Sequence, residues 1–271
     1  NQAILVTSGV PRLLCTFQVI SRDLVEMKAS LCICVALLLL LLVLCDGRKL
    51  KFKPGLTLKG KYKDCQERWE AGERQSQVSV IYPNGTYPVK VFCNHTDVGA
   101  FTVIQRRLYG NINFYTAWAY YKAGFGHPQG DYWAGLDAIY HLTQSGNNRL
   151  RIDMSDWYGN QRYAMYNHFS IQSEAYRYQL AVAGFSGNVP DDLQYQNGMY
   201  FATWDRPDQY HCAPNFQAGW WYNYCAYSLL NGHYYVGGSY SPSRGYYDGI
   251  YWKDWLGYAY SLKFVSMSLY Q

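Results

Sequence analysis

Apolar and polar residues alternate in several short segments between residues 78 and 182, and this period of two indicates β-strands. Two of the segments flank Asn84-Gly85, a dipeptide that favours the tight turn of a β-hairpin. Short strands separated by turns predict an antiparallel sheet. The predicted strands are residues 78–82, 88–92, 101–105, 149–153 and 176–182.

Two other parts of the chain depart from this alternation. Residues 132–142 place Trp133, Leu136 and Ile139 on one side of a helix, which predicts a short helix there. After about residue 185 the periodicity is lost, and Gly, Asn, Asp, Tyr and Trp dominate. The predicted fold class is therefore α+β, with a central antiparallel sheet, short helices and a loop-rich subdomain where binding sites concentrate.

The N-terminal part carries an apolar run at residues 31–44, preceded by Met27 and Lys28. As a helix this run would rise about 21 Å, less than the roughly 30 Å of a bilayer core. A basic start and a short apolar run are typical of a signal peptide, predicted at residues 27–47, with a membrane anchor as the alternative. Residues 1–26 then form an upstream segment outside the mature protein.

The excess positive charge of the chain lies in the residues that precede the predicted domain, which spans residues 64–271. Residues 48–63 carry seven Lys or Arg and no acid. They predict a basic linker, either an arm for acidic surfaces or a solvated leader. Residues 65–271 carry 14 basic and 15 acidic side chains, so the net charge of +5 comes from the preceding part. A neutral folded part excludes a basic groove for nucleic acid.

Cysteine usage indicates an oxidising compartment. Four of the eight cysteines remain after the leader, and residues 84–86 and 94–96 form glycosylation sequons at Asn84 and Asn94. A secreted, extracellular protein would pair these cysteines, and four of them allow three connectivities. Zinc is the alternative, but the chain has no Cys-x-x-Cys spacing among them and its six His are scattered. The four cysteines are Cys65, Cys93, Cys212 and Cys225.

A series of ordered motifs resembles the fibrinogen C-terminal domain, as found in secreted lectins of the ficolin, tachylectin and ixoderin types. The segment at residues 99–107, Gly-Ala-Phe-Thr-Val-Ile-Gln-Arg-Arg, is similar to the family's Gly-Gly-Trp-Thr-Val-Ile-Gln-Arg-Arg. The resemblance covers residues 64–270 and implies the pairs Cys65–Cys93 and Cys212–Cys225. Further matching motifs are Asp64-Cys65, Trp118, Gly124-Phe-Gly126, Tyr132-Trp133-Ala-Gly135, Asp156-Trp157, Trp220-Trp-Tyr222, Leu230-Asn-Gly232 and Gly249-Ile250-Tyr-Trp252.

The resemblance also implies a calcium site just before the second cysteine pair. The family pattern is a Thr followed by Asp-x-Asp, with carbonyl oxygens completing an all-oxygen shell. Here Thr203 and Asp205 match, but Pro207 occupies the place of the second ligand. Asp208 would replace that ligand only if the loop shifts by one residue. The predicted metal ligands are therefore Asp205 and Asp208, in a loop that departs from the pattern.

A pocket for an acetyl group beside the second disulfide is a further implication of the resemblance. A cis peptide at His211–Cys212 would direct backbone N–H groups at the ligand carbonyl, and aromatic walls would hold its methyl group. Ala226 stands where the lectins have a His that contacts the ligand. The predicted ligand-binding residues are Tyr210, His211, Cys212, Trp221, Tyr224, Tyr227 and Tyr246.

Two functions of different classes follow. The leading hypothesis is a secreted lectin-like protein of innate immunity that binds acetylated sugars, such as N-acetylglucosamine, on microbial surfaces and gains avidity as a homo-oligomer. The alternative is a secreted fibrinogen-related ligand for a host receptor or a coagulation protein, favoured by Ala226 and by the altered calcium loop. An enzyme is not expected, because the chain lacks the motifs of metalloproteases, serine hydrolases and nucleotide-binding proteins.

Overall fold

A computed structural model describes residues 60–242 and 244–271 of the chain. The predicted upstream segment, the signal peptide and most of the basic linker lie outside these residues. No helix among the described residues is long and apolar enough to cross a membrane.

The main sheet has nine strands, and the last strand of the chain lies in its middle. Its strands are β1 (Gln77–Ile81), β2 (Val89–His95), β3 (Ala100–Arg107), β4 (Phe125–Gly126), β5 (Tyr132–Trp133), β6 (Arg149–Ser155), β7 (Gln161–Ile171), β8 (Leu180–Gly187) and β13 (Phe264–Tyr270). Along the sheet the order is β1-β2-β3-β13-β6-β7-β8, with β5 paired to both β3 and β4, and every neighbouring pair is antiparallel.

The remaining elements are short. Two small two-stranded sheets lie in the loop-rich part, formed by β9 (Phe201–Ala202) with β10 (Trp220–Trp221) and by β11 (Ser228–Leu229) with β12 (Tyr251–Trp252). The helices are α1 (Cys65–Glu70), α2 (Trp118–Ala123), α3 (Leu136–Gln144), α4 (Cys212–Phe216) and α5 (Lys253–Leu256).

One face of the central strands and a group of large aromatic rings form the core. Val265, Met267 and Leu269 of β13 follow the strand period of two, and none is accessible to solvent. Four tryptophans that are at most 1% exposed add to this core. Trp221 lies 5.1 Å from the ring of Phe201 and 6.2 Å from that of Trp133, so these rings connect the sheet to the loop-rich part.

The predicted hairpin around residues 84–85 is present, whereas two predicted boundaries are wrong. The strand predicted at residues 176–182 begins only at Leu180, because Arg177 and Tyr178 have positive φ angles of 48° and 49°, which a strand cannot accommodate. The helix predicted at residues 132–142 begins only at Leu136. Gly135, with φ 100°, separates strand from helix, and a Cβ there would lie 2.8 Å from the carbonyl carbon of Ala123.

Candidate functional site

The backbone around the second disulfide is fixed by a covalent bond and a helix cap. Cys212 is bonded to Cys225 and begins helix α4. The carboxylate of Asp208 accepts hydrogen bonds from the N–H groups of Cys212 at 3.0 Å and Ala213 at 2.9 Å. A helix leaves these first N–H groups without partners of its own, so Asp208 caps α4.

The cis peptide bond lies at the other cysteine of this pair from the one implied by the resemblance. Tyr224–Cys225 is cis, whereas His211 adopts the left-handed conformation, φ 55°, before helix α4. The Cys212 N–H cannot serve a ligand carbonyl as predicted, because it already donates to Asp208. The predicted placement of the cis bond and of this donor is therefore wrong.

Two of the predicted tyrosines stand together on the surface. Tyr224 is 71% exposed and Tyr210 is 46% exposed. Their rings meet edge to face, with centroids 5.0 Å apart and an interplanar angle of 82°. Each offers an apolar ring and a polar hydroxyl to a partner. This exposed pair is the most accessible part of the predicted site.

Tyr227 is held between a ring and a cation. It stacks on Tyr195 with centroids 3.8 Å apart and planes within 4°, and the ammonium of Lys253 lies 4.1 Å from the centre of its ring. The hydroxyl of Tyr195 donates to the carbonyl of Tyr224 at 3.0 Å, which connects this stack to the exposed pair. Lys253 therefore places a positive charge over the ring of Tyr227.

The remaining predicted residues separate into exposed and buried ones. Tyr246 is 40% exposed and packs 5.6 Å from Phe216 of helix α4, and His211 is exposed. Trp221 is fully buried, and its indole N–H donates to the carbonyl of Tyr178 at 2.8 Å. The prediction that Trp221 lines a ligand pocket is wrong, because that ring is part of the core.

The predicted calcium ligands are used by the protein itself. One oxygen of Asp205 accepts hydrogen bonds from the backbone of Trp118 at 2.9 Å and the hydroxyl of Thr203 at 2.7 Å. Both oxygens of Asp208 accept backbone N–H groups. No group of three or more Asp, Glu, His or Cys side chains arranged for a metal occurs in the described part of the chain. This donor set does not fit the six to eight oxygens that calcium requires.

A guanidinium group contacts the carbonyl oxygens of the same loop. Arg177 donates to the carbonyls of Arg206 and Pro207, each at 3.2 Å. The side chain of Arg206 lies 4.6 Å from the ring centre of Trp118 and 3.6 Å from the carboxylate of Glu174. Side-chain cations and hydrogen bonds therefore hold the loop at residues 203–212.

Helix α5, which carries Lys253, rests on a buried carboxyl group. Asp192 is fully buried, and one of its oxygens accepts the N–H of Asp254 at 2.8 Å. Its other oxygen has no hydrogen-bond partner among the described residues. Burial raises the pKa of Asp192 to about 7, although the hydrogen bond from the backbone of Asp254 acts to lower it. The charge state beneath this helix thus changes near neutral pH.

The order and geometry of these elements match one known family. A model of "Fibrinogen beta and gamma chains, C-terminal globular domain" matches residues 61–271. The chain belongs to this family. The predictions of a fibrinogen C-terminal domain and of an α+β fold are confirmed.

Known proteins and solved structures with a fibrinogen-like domain are similar to this chain over most of its length. Angiopoietin-related protein 6 from Homo sapiens is 42% identical over 212 residues, 77% of this chain and 44% of that protein. The chain thus spans less than half of that relative. The fibrinogen-like globe domain of human ANGPTL2 superposes with a TM-score of 0.74 at 41% identity, covering 77% of this chain and 98% of that one. Lamprey fibrin D-dimer, complexed with the peptide Gly-His-Arg-Pro-amide, superposes with a TM-score of 0.73 at 31% identity, covering 96% and 90%.

The leading prediction of a sugar-binding lectin is wrong. The similar proteins and solved domains include angiopoietin-related proteins 1, 2 and 6, and none of these findings supports an acetylated carbohydrate as the partner. The geometry gives a physical reason, because Trp221 is buried and the Cys212 N–H is occupied. Ala226, only 4% exposed, offers no donor in place of the lectin histidine.

Sequence reasoning missed three residues that contact the predicted tyrosines. Tyr195, Phe216 and Lys253 contact predicted residues from positions that no local motif connects to them. The signal that could have identified them is the unusual density of Tyr and Phe in the loop-rich part. The two sequon residues Asn84 and Asn94 are both exposed, in a turn and on strand β2. Glycosylation there stays a prediction.

Proposed function

We propose that this chain is a secreted fibrinogen-like ligand that binds a protein partner through the aromatic surface around the second disulfide. This surface is defined as Tyr210, Tyr224, Tyr227, Tyr246 and Lys253. The observation that carries the proposal is the edge-to-face pair of Tyr210 and Tyr224, exposed on a backbone held by a disulfide. Its partner class is a receptor or a coagulation protein.

Exposed tyrosines such as Tyr210 and Tyr224 are typical of surfaces that recognise other proteins. Tyr, Trp and Arg are enriched among residues that dominate binding energy at protein interfaces. A tyrosine has only two side-chain torsions, so ordering it on binding costs little conformational entropy. The backbone of Tyr224 is already restrained by the bonded Cys225 and by the hydrogen bond from Tyr195. A restrained surface loses less freedom when it binds.

The charge beside the surface favours an acidic or hydrogen-bond-accepting partner segment. Lys253 carries its ammonium over Tyr227 and is paired with Asp254 at 2.9 Å. That hydrogen bond raises the pKa of Lys253, so the side chain stays protonated at neutral pH. A peptide partner has been captured in the lamprey fibrin relative, which supports a peptide or protein as the type of ligand.

Secretion is part of the proposal and rests on the signal-like segment at residues 27–47 and on the two disulfides. A homo-oligomer, which would raise avidity, stays a prediction. The calcium loop plays no part in the proposal, since its carboxylates are occupied by protein donors.

The experiment compares binding of the secreted chain and its variants to live cells of the source organism and to a fibrin-coated surface. Tyr224→Ala and Tyr210→Ala remove the exposed pair, and Tyr158→Ala is the matched control because Tyr158 is 86% exposed elsewhere on the domain. Truncating an interface tyrosine costs about 1–2 kcal/mol, so we expect binding to weaken about 5–30-fold in the first two variants.

Protease treatment of the cells and competition with N-acetylglucosamine distinguish a protein partner from a carbohydrate partner. Protease treatment of the cells should abolish binding, whereas N-acetylglucosamine should not compete with it. Binding that is equal in Tyr224→Ala and Tyr158→Ala would refute the assignment of the surface. Binding that survives protease treatment of the target would refute a protein partner.

A further inference from the structure

A separate pocket lies at the end of strand β3, outside the aromatic surface. It has a volume of about 430 Å³ and is formed by residues 110–115 on one side and residues 231–234 on the other. Arg107 and Gln217 complete its lining. A volume of this size accommodates a small organic ligand or the end of a peptide.

The guanidinium of Arg107 is buried without a carboxylate partner. Arg107 is 1% exposed, and none of the ion pairs within 4.0 Å in residues 60–242 and 244–271 includes it. Its Nη1 donates to the carbonyl of Gly232 at 2.5 Å, and its charge lies 3.9 Å from the ring centre of Phe114. Its Nε has no hydrogen-bond partner. A buried cation of this kind leaves attraction available for an anion.

The carboxylate whose charge acts on Arg107 is held by backbone N–H groups. Asp131 accepts hydrogen bonds from the backbone N–H groups of Leu108 at 2.5 Å, Tyr109 at 3.1 Å and Asn111 at 2.9 Å. Its charge acts to raise the pKa of Arg107, but burial is the larger effect and lowers that pKa to about 10. Arg107 therefore remains a cation at neutral pH.

The rest of the lining contains hydrogen-bond donors and no acid. Asn113, Gln217 and His233 line the pocket together with Arg107, and neither Asp nor Glu is among the lining residues. The amide of Asn231, which also lines the pocket, already accepts a hydrogen bond from Gln105 and donates one to the carbonyl of Gly219. A planar guanidinium surrounded by amides matches the geometry of a carboxylate better than that of a cation or a purely apolar group.

We propose that this pocket binds a carboxylate, carried by a small organic acid or by the C-terminus of a peptide, with Arg107 as its charged donor. The site is independent of the aromatic surface, since it shares none of the residues that define that surface. Loss of either function would therefore leave the other testable.

The test uses hippurate, a small monocarboxylate, titrated against the full chain and followed by ligand-detected NMR in 150 mM NaCl. Hippuramide, which lacks the charge, is the control ligand, and inorganic phosphate is the control anion. We expect saturable binding of hippurate, and binding at least tenfold weaker for hippuramide and for phosphate. Equal binding of hippurate and hippuramide would overturn the proposal, and preferred binding of phosphate would overturn the carboxylate assignment.

Two variants connect the binding to the pocket. Arg107→Gln removes the charge, but the residue is buried and the variant can fail to fold. Asn113→Asp is the second variant: it places a carboxylate on the pocket wall and keeps the oxygen that accepts the Tyr115 N–H at 2.9 Å. It should weaken hippurate binding at least tenfold. Gln75→Glu adds the same charge at an exposed position and should have no effect. Unchanged binding in Asn113→Asp would refute the site.

Discussion

Replacing the buried Asp192 should change how the stability of the domain depends on pH. Asp192 is fully buried, and its pKa is raised from 3.8 to about 7, first by burial. The folded protein therefore holds a proton that the unfolded chain releases near pH 4. Stability is greatest where both states are protonated and falls as pH rises from about 4 to about 7.

The size of the expected change in unfolding free energy follows from how far the pKa of Asp192 is raised. A difference of about three pKa units corresponds to at most about 4 kcal/mol. The variant Asp192→Asn is neutral at every pH and keeps an oxygen to accept the Asp254 N–H. We expect it to be about 2–4 kcal/mol more stable than the parent at pH 8 and close to the parent at pH 4.5.

The assay is urea unfolding followed by tryptophan fluorescence at pH 4.5, 6, 7 and 8. The difference in unfolding free energy between parent and variant isolates Asp192, because the other titrating groups are common to both. Asp97→Asn, at an exposed position, controls for the loss of a charge. A parent–variant difference that stays constant from pH 4.5 to pH 8 would refute the reasoning.

Three further predictions concern the loop at residues 203–212, the two glycosylation sequons and the first disulfide. The melting temperature of the domain should be the same in calcium and in EDTA, and an increase of several degrees in calcium would contradict the account of residues 203–212. Asn84→Gln and Asn94→Gln should each lower the mass of the secreted chain by one glycan, and unchanged mass would show that the site is not used. Replacing Cys65 and Cys93 together by Ala should lower the unfolding free energy by about 3–4 kcal/mol in denaturant unfolding, because their sequence separation of 28 closes a long loop.

The sequence predicts the sheet well where its side chains follow a local period. Residues 101–105 and 149–153 lie inside strands β3 and β6, and both strands flank β13 at the centre of the sheet. Residues 176–182 were predicted as a strand by the same rule, yet Tyr178 adopts a positive φ. Its ring is buried and its hydroxyl bonds to Asp137 at 2.5 Å, so tertiary packing overrides the local pattern.

The candidate site is predictable in position but not in detail. The second cysteine pair marks the segment of the candidate site, and Tyr210 and Tyr224 are exposed beside it. Composition alone cannot tell that Tyr210 and Tyr224 are exposed and that Trp221 is buried. Trp221 lies on the short strand β10, and the burial of its ring depends on which face of that strand packs against the core. The contact between Tyr195 and Tyr227 joins residues 32 positions apart, and no local pattern encodes it.

The loop before the second disulfide is held by contacts within the chain. A calcium ion would bring carbonyl and carboxylate oxygens together by its charge. Here Arg177 supplies a charge to two carbonyls, and Asp208 supplies an acceptor to the first N–H groups of α4. Both carboxylates of this loop thus accept hydrogen bonds from groups of the chain itself. Contacts within the chain therefore hold the segment that carries Tyr210 beside Tyr224.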